Sequence, residues 1–175
     1  SESQRAAEII RRLRRLVRKR EPERSATNLN EVICEVLEIV EFDTEAARCD
    51  IQLDLVPGLP LVDADRVQIQ QVLLNLVRNG IEAMDGLPEA ERFLKVRSEF
   101  DETTIRVSVS DNGLAVDKAT VSRLLEPYFT TKKSGLGLGL AICRTIIEAH
   151  AGQLTVESNP ERGLTVAFVL NRRTS

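Results

Sequence analysis

The sequence predicts an α+β fold, a two-layer α/β sandwich in which three helices cover one face of a mixed, mostly antiparallel sheet, with a short N-terminal helix before it. Two observations predict this arrangement. Segments with apolar residues at helical spacing are separated by segments in which apolar and polar residues alternate, and the alternating segments occur in pairs joined by short turns. The 175 residues are 42% hydrophobic, which is enough for one compact core.

The N-terminal segment predicts a short amphipathic helix and then a boundary. Apolar residues recur at helical spacing in Ile9, Ile10, Leu13, Leu16 and Val17, with basic residues between them. A membrane surface or nucleic acid is one possible target of such a charge run, but a solvated face opposite an apolar stripe that packs on a partner is favoured. Because residues 21–25 break the pattern, the chain is divided into residues 1–22 and a main domain of residues 23–175.

The first half of the main domain predicts two long helices with a strand between them. Apolar spacing predicts a helix over residues 29 to about 47, and alternation predicts a strand over residues 51–55. After a turn at residues 57–58, the acids at positions 63 and 65 offer caps for a helix that runs to about residue 84. Its buried side is expected to comprise Val67, Val72, Leu73, Leu76 and Val77.

The second half predicts two hairpins, an irregular segment and a third helix. One hairpin joins residues 94–100 to residues 105–109, and the other joins residues 154–158 to residues 164–168. Regular pattern is lost over residues 112–137, a length typical of a functional lid. The third helix is expected from about residue 137 to residue 149.

Composition excludes several classes of function. The net charge of −3 provides no global basic field, so nucleic-acid binding is not expected. No apolar run approaches the roughly 20 residues that span a bilayer, so we expect no membrane contact by this segment and a cytoplasmic location. Cys34, Cys49 and Cys143 form no C-x-x-C pair and His150 is the one histidine, so a zinc site or a disulfide framework is not expected.

Asp111 is the first candidate for a ligand-binding residue. It lies in phase with the apolar Ile105, Val107 and Val109 of the same strand, so its carboxylate is expected to point inward. A buried acid needs hydrogen-bond donors, and a ligand amino group would serve. The alternative is a strand-end carboxylate that caps the following turn.

A second candidate is a polar stripe on the second long helix. Asn75, Asn79 and Glu82 follow each other at i, i+4 and i+7, which aligns three oxygen-bearing side chains. Oxygen atoms are the ligands that Mg²⁺ prefers, and substrate phosphates and water complete its shell. The alternative is an ordinary solvent-facing stripe.

A third candidate is the glycine run at residues 135–140, which leads into the third helix. Free backbone N–H groups and the positive end of the helix dipole lie there, and glycine leaves room for a phosphate. The run lacks the Gly-Lys-Ser/Thr ending of a P-loop, and no strand feeds into it as in a dinucleotide fingerprint.

The order of these segments resembles that of the catalytic and ATP-binding domain of sensor histidine kinases, in the superfamily shared with type II topoisomerases, Hsp90 chaperones and mismatch-repair ATPases. The pair Asn75 and Asn79, the Asp111-Asn112-Gly113 segment, residues 126–132 and the glycine run resemble the N box, first glycine box, F box and second glycine box. The resemblance covers about residues 25–170. It implies the Bergerat ATP-binding fold, with ATP and Mg²⁺ as ligands.

The resemblance also implies roles for single residues. Asn79 is similar to the Mg²⁺ ligand, Asp111 to the acid that reads the adenine amino group, and Gly113 to the glycine that passes close to the base. Arg78 and Glu82 resemble the nitrogen-regulation and oxygen-sensor branch. The other positions implied at the ATP site are Asn75, Ala115, Phe129, Thr130, Thr131, Lys132, Gly135, Leu136, Gly137, Leu138, Gly139 and Leu140, with Lys132 expected at a phosphate and Phe129 at the hinge side of the lid.

Asn75 separates two mechanisms. The hydrolysing relatives place a glutamate there to activate water, and an amide cannot act as that base. We therefore expect a domain that holds Mg²⁺-ATP and presents the γ-phosphate to a histidine on the dimerisation domain of the same kinase, with a response regulator downstream and a homodimeric full-length protein. No residue of the chain is assigned a catalytic role.

Two departures from the family pattern matter. The first is that the phosphoacceptor histidine is missing. His150 resembles the turn after the last helix and is expected to cap or pack. Because residues 1–22 look like the end of the second dimerisation helix, we expect a fragment that does not phosphorylate itself at the usual site. Ala115 stands at the second glycine of the first glycine box. If that position needs a positive φ, alanine costs on the order of 1 kcal/mol.

Three rival functions remain open at this stage. The first is a degenerate nucleotide-binding or scaffolding module, which Ala115 favours. The second is an ATPase of the topoisomerase or chaperone type, which Asn75 opposes. The third is a serine kinase of the anti-sigma class.

Overall fold

The computed structural model describes residues 23–131 and 137–173. The strands of the described parts are β1 (Ser25–Thr27), β2 (Asp50–Leu55), β3 (Val62–Ala64), β4 (Phe93–Phe100), β5 (Thr104–Asp111), β6 (Gln153–Ser158) and β7 (Leu164–Asn171). The helices are α1 (Leu29–Ala46), α2 (Arg66–Ala83), α3 (Lys118–Arg123) and α4 (Gly139–Ala149), with a 3₁₀ turn at Glu89–Glu91. The helix expected before residue 20 lies outside the described residues.

Five strands form one mixed sheet in the order β2-β4-β5-β7-β6. β2 pairs with β4 in parallel, and the other three pairings are antiparallel. β1 and β3 form a separate antiparallel pair that the sequence analysis did not predict. The fold class is thereby confirmed as an α+β sandwich with a mixed, mostly antiparallel sheet.

The core lies between one face of the sheet and the long helices. From the sheet it receives the alternate residues Leu94 and Val96 of β4, Ile105 and Val107 of β5, and Phe168 of β7. The helices contribute the buried sides that their apolar spacing predicted, such as Val32, Ile33 and Val36 of α1 and Val72, Leu73 and Leu76 of α2. The opposite face of the sheet carries ion-paired side chains, including Lys95, Arg97, Glu99 and Arg106.

Both long helices begin at side-chain caps. Asn28 caps α1 by accepting from the N–H of Asn30, and Asp65 caps α2 by accepting from the N–H groups of Val67 and Gln68. The cap predicted at Asp65 is confirmed, since its side chain satisfies two orphan donors of the first turn.

The strand predicted over residues 51–55 is confirmed as β2, an edge strand in which Leu53 is 51% exposed. Two other expectations about the elements were wrong. Val67 was placed on the buried side of α2 but is 71% exposed, because at about 100° per residue it lies on the opposite face of the helix from Val72, Leu73 and Leu76. The segment 112–137 was expected to lack regular structure but contains α3, whose cap Asp117 accepts from the N–H of Thr120.

Candidate functional site

Asp111 ends β5 and points into the sandwich. Its residue is 7% exposed, and its Oδ1 atom accepts hydrogen bonds from the N–H groups of Gly113 at 2.8 Å and Leu164 at 3.4 Å. The inward orientation predicted from its phase with Val109 is confirmed. The turn-capping alternative also holds, because Gly113 belongs to the turn after the strand. One buried carboxylate therefore fixes two loops.

The loops around Asp111 are held by side chains that the sequence analysis did not single out. Asn159, in the turn before β7, donates from Nδ2 to the Asp111 carbonyl at 2.8 Å. Asn112, also 7% exposed, accepts from the N–H of Phe93 at 3.1 Å and donates to the Glu91 carbonyl at 2.6 Å. The amide side chains of Asn112 and Asn159 thus hold the backbone around Asp111. The sequence does not show these contacts, because each joins segments that are distant along the chain.

Glycines let three segments meet at Asp111. A Cβ on Gly113 would lie 2.6 Å from the Ala83 carbonyl oxygen, and one on Gly80 would lie 2.4 Å from Leu94 Cδ1 and 3.6 Å from Asp111 Cβ. Helix α2 consequently lies directly against the end of β5. No side chain beyond hydrogen fits at position 113 without movement.

The polar stripe of α2 faces α4. Asn79 is half-buried, and a Cβ on Gly139 would lie 3.5 Å from its Nδ2 atom. Asn75, one turn earlier, lies near the thiol of Cys143 in α4, which donates to the Val72 carbonyl of α2 at 3.8 Å. Glu82 is exposed. The stripe is therefore a contact surface between two helices in its first half and open to solvent only at its end.

Arg78 lies on the other flank of α2. Its Nε atom is 3.1 Å from Asp43 Oδ2 of α1 in a half-exposed ion pair. Arg78 and Asn79 are neighbours in sequence but contact different helices, because adjacent residues on a helix point about 100° apart. The structure therefore does not bring Arg78 together with the Asp111 pocket.

Helix α4 begins beside Asn79, and no side chain of residues 23–131 or 137–173 caps its first turn. Leu138 is the N-cap residue and is 7% exposed, and Leu140 packs on the core. The N–H groups of the first turn have no intrahelical acceptor, and the helix dipole makes this end positive. The predicted anion-binding end thus lies next to the predicted cation ligand.

Two positions of the predicted lid segment, Tyr128 and Gly137, are joined at the backbone. The N–H of Tyr128 donates to the Gly137 carbonyl at 2.9 Å, and Gly137 has a φ of +65°. A Cβ there would lie 2.5 Å from the Phe129 carbonyl oxygen, so glycine is required both by conformation and by space. The ring of Phe129 lies 4.3 Å beneath the Arg123 guanidinium in a cation–π contact. Phe129 therefore packs against the C-terminal end of α3, and its place at the hinge side of the lid stays a prediction.

The remaining lid positions are placed in part. Thr130 is half-buried and Thr131 is exposed, while Lys132, Gly135 and Leu136 lie outside the described residues. Ala115 is exposed and its φ is not positive, so the condition under which alanine would cost backbone energy at that position is not met.

His150 has a structural role. Its Nδ1–H donates to the Ile146 carbonyl at 2.8 Å, and its Nε2 accepts from the N–H of Asp65 at 3.0 Å. The residue is 6% exposed. The prediction that it caps or packs is confirmed.

The part of the chain that the structure describes contains neither a metal-binding side-chain cluster nor a membrane-spanning helix. Within residues 23–131 and 137–173, no cluster of three or more His, Cys, Asp or Glu side chains could hold a metal ion. The same ranges contain no helix that is long and apolar enough to cross a membrane. A cation at this site would depend on the amide of Asn79 together with a ligand's own phosphates.

A sandwich with a buried strand-end acid, an amide stripe and an uncapped helix N-terminus defines the class of ATP-binding domains with the Bergerat fold. Residues 64–174 match the family model described as histidine kinase-, DNA gyrase B-, and HSP90-like ATPase, and the chain belongs to this family. Within it, the chain carries a catalytic, ATP-binding domain of the sensor histidine kinase type, as its sequence predicted.

Named relatives support this assignment. The chain is 44% identical over 167 residues to the sensor protein TdiS of Thauera aromatica, covering 94% of this chain and 30% of TdiS. It is 41% identical over 166 residues to the sensor protein FixL of Bradyrhizobium diazoefficiens, covering 95% and 33%. The chain thus spans about a third of these curated relatives.

Solved structures of histidine kinases also resemble this domain. The catalytic domain of the histidine kinase ThkA superposes with a TM-score of 0.77 at 36% identity, covering 86% of this chain and 96% of that domain. ThkA in complex with response regulator protein TrrA superposes with a TM-score of 0.82 at 33% identity, covering 98% of this chain and 48% of ThkA.

Proposed function

We propose that this domain binds Mg²⁺-ATP between the Asp111 strand end, helix α2 and the N-terminus of α4, and presents the γ-phosphate to a histidine on the dimerisation domain of the same kinase. The observation that carries the proposal is the buried Asp111 carboxylate, held by Gly113 and Leu164 beside α2. A carboxylate in this position accepts a hydrogen bond from the exocyclic amino group of adenine.

The phosphate end of the nucleotide is assigned to the gap between Asn79 and Gly139. The uncapped N–H groups of α4 donate to phosphate oxygens, and the side-chain oxygen of Asn79 would hold Mg²⁺, which neutralises phosphate charge when bound. Lys132 and the glycine at position 135 are proposed to complete the phosphate-binding part of the site. Thr130, Thr131, Phe129 and Gly137 form the hinge on which the lid moves.

Asn75 suits the domain to transfer rather than hydrolysis. Its amide takes no proton from water, and burial raises the pKa of the neighbouring Cys143 thiol to about 12, so neither side chain is a general base at neutral pH. We propose that the ATP is preserved for an external imidazole. A response regulator is the proposed next partner, consistent with the partner of ThkA, and the full-length protein is proposed to be a homodimer in the cytosol.

Calorimetric titration with a non-hydrolysable ATP analogue and Mg²⁺ tests the pocket. We expect Asp111→Asn to weaken binding at least tenfold, about 1.4 kcal/mol. The matched control is Asp101→Asn, because Asp101 also accepts backbone N–H groups at a strand turn but lies at the other end of β5. Equal affinities for the parent and Asp111→Asn would overturn the assignment.

Phosphate release tests the role of Asn75. We expect Asn75→Glu to raise ATP hydrolysis by about tenfold or more, since it restores a base, whereas Asn75→Gln should not. Transfer to a separately expressed dimerisation helix pair, followed by acid treatment, identifies the product. Acid-labile phosphate supports a phosphohistidine; acid-stable phosphate would favour a serine kinase, and no transfer by an ATP-bound domain would favour a nucleotide-binding module.

A further inference from the structure

The turn between β6 and β7 lies directly against the main chain of Asp111. A hydrogen bond from the N–H of Asn159 to the Gly163 carbonyl at 3.0 Å closes this turn. Gly163 is buried and has a φ of +87°, and a Cβ there would overlap the Asp111 carbonyl oxygen. Glycine is therefore required at this position both by conformation and by space. Residues 159–163 are termed the Asn159 turn.

Asn159 holds Asp111 at the point where the pairing of β5 with β7 stops. The register of these two strands ends at Ser110 and Thr165. One residue further, Asn159 Nδ2 donates to the Asp111 carbonyl at 2.8 Å. The side-chain amide thus gives this carbonyl the kind of hydrogen bond that a strand N–H gives inside an antiparallel ladder. The last residue of β5 is therefore held on its β7 side by a side chain.

Two hydroxyl groups lock the amide of Asn159 in this orientation. Its Nδ2 atom lies 3.1 Å from Ser110 Oγ, and its Oδ1 atom accepts from Thr165 Oγ1 at 2.6 Å. The two hydroxyl oxygens are 2.8 Å apart. A hydroxyl has one proton to donate, and that of Thr165 goes to the amide, so the Ser110 hydroxyl donates to Thr165. The three side chains form a closed ring of hydrogen bonds that fixes which end of the amide faces Asp111.

This ring lies on the opposite face of the sheet from the Asp111 carboxylate. Ser110 and Asp111 are neighbours on one strand, so their side chains point to opposite faces. On the inner face, the carboxylate accepts from the N–H of Leu164, the residue that follows the Asn159 turn. Asn159 therefore lies outside the proposed pocket and influences it through the main chain of Asp111.

We propose that Asn159 is a positioning residue for recognition of the adenine amino group. The inference rests on the proposed contact between that amino group and Asp111. A hydrogen bond weakens steeply when its angle departs from the optimum. Because the Asn159 turn holds the Asp111 carbonyl and leads into the N–H that holds its carboxylate, loss of the amide loosens the acid at both ends. Selectivity for adenine therefore falls more than general affinity for nucleotides.

Two nucleotides separate positioning from general support. The β,γ-imido analogue of ATP carries the amino group, and the same analogue of purine riboside triphosphate carries hydrogen in its place. In calorimetric titrations with Mg²⁺, we expect the parent to bind the first at least tenfold more tightly. In Asn159→Ala this preference should fall at least threefold. A merely structural residue would weaken both nucleotides by the same factor and leave the preference unchanged.

The isosteric variant Asn159→Asp tests the donor itself, because it keeps the shape but presents oxygen atoms to Ser110 and the Asp111 carbonyl. It should lose at least as much of the preference as Asn159→Ala. The matched control is Asn30→Ala, which removes an amide that donates to the Val56 carbonyl at 2.9 Å, at the opposite end of the sheet from Asp111. This control should keep the parent's preference. Each preference compares two nucleotides on one protein, so a partly unfolded sample does not change it.

Asp111→Asn distinguishes failure of this inference from failure of the proposed function. A parent without the preference, or an Asp111→Asn variant that keeps it, overturns both the adenine assignment and the role of Asn159. If Asp111→Asn abolishes the preference while Asn159→Ala or Asn159→Asp retains it in full, the role of Asn159 alone is overturned.

The double variant Asp111→Asn/Asn159→Ala completes the cycle. Its preference should equal that of Asp111→Asn, because both substitutions act on one contact. A further loss of preference in the double variant would show that Asn159 acts elsewhere on the nucleotide and would overturn the proposal.

Discussion

The imidazole Nε2 of His150 lies 3.0 Å from the backbone nitrogen of Asp65 and accepts its hydrogen bond. His150 is the C-cap residue of α4, and Asp65 is the N-cap residue of α2. The two helices that carry the glycine run and the amide stripe are therefore tied at the ends farthest from the Asp111 pocket. One histidine side chain thus joins the ends of the two helices.

This tie predicts the effect of His150→Ala. Its removal leaves the buried N–H of Asp65 without an acceptor, so the free energy of unfolding should fall by about 1–3 kcal/mol in urea denaturation. His150→Gln retains an acceptor oxygen on a side chain of similar reach and should recover part of the loss. If both variants unfold like the parent, the hydrogen bond does not contribute to stability.

Gly113→Ala tests the close approach of α2 to the Asp111 loop. The new Cβ would lie 2.6 Å from the Ala83 carbonyl oxygen, so we expect a loss of about 1–3 kcal/mol in the free energy of unfolding and weaker binding of the ATP analogue. Gly86→Ala is the control, because a Cβ at that position meets no atom within 4 Å. Similar stabilities for the two variants would contradict the packing described here.

Ala151→Gly is expected to stabilise the domain. Ala151 follows the C-cap of α4 with a φ of +56°, a conformation that costs an L-residue roughly 1 kcal/mol relative to glycine. The midpoint of urea denaturation should therefore rise with an unchanged slope. The same substitution at Ala149, which lies inside the helix, should lower it.

Asp101 predicts a pH dependence of stability. Hydrogen bonds from the N–H groups of Thr103 and Thr104 lower the pKa of its carboxyl from 3.8 to about 2. Because the folded-state pKa is depressed, the stabilisation is present above about pH 4 and is lost as the pH falls towards 2.

Asp101→Asn removes this titration. The difference in the free energy of unfolding between the parent and Asp101→Asn should be constant from pH 5 to 7 and shrink below about pH 4. A difference that stays constant down to about pH 2 would show that the carboxylate is not stabilised by the turn.

Periodicity in the sequence determined the long elements and the inward face of β5. Three features depend on the spacing between near neighbours in the sequence: the helix at Leu29–Ala46, the cap at Asp65 and the burial of Asp111. This spacing is visible in the sequence because a helix repeats every 3.6 residues and a strand every 2 residues. The order of the four boxes along the chain also indicated the family.

The tertiary structure alone decided which neighbours these residues meet. In the folded domain Val67 is exposed, and Arg78 forms an ion pair with Asp43 of α1. Asn159 donates a hydrogen bond to the Asp111 carbonyl, 48 positions away in the sequence. The same long-range packing placed Cys143 against Asn75. Local repeats specify which face of an element is apolar, but the contacts between faces depend on how distant segments pack, and no single-sequence period records that packing.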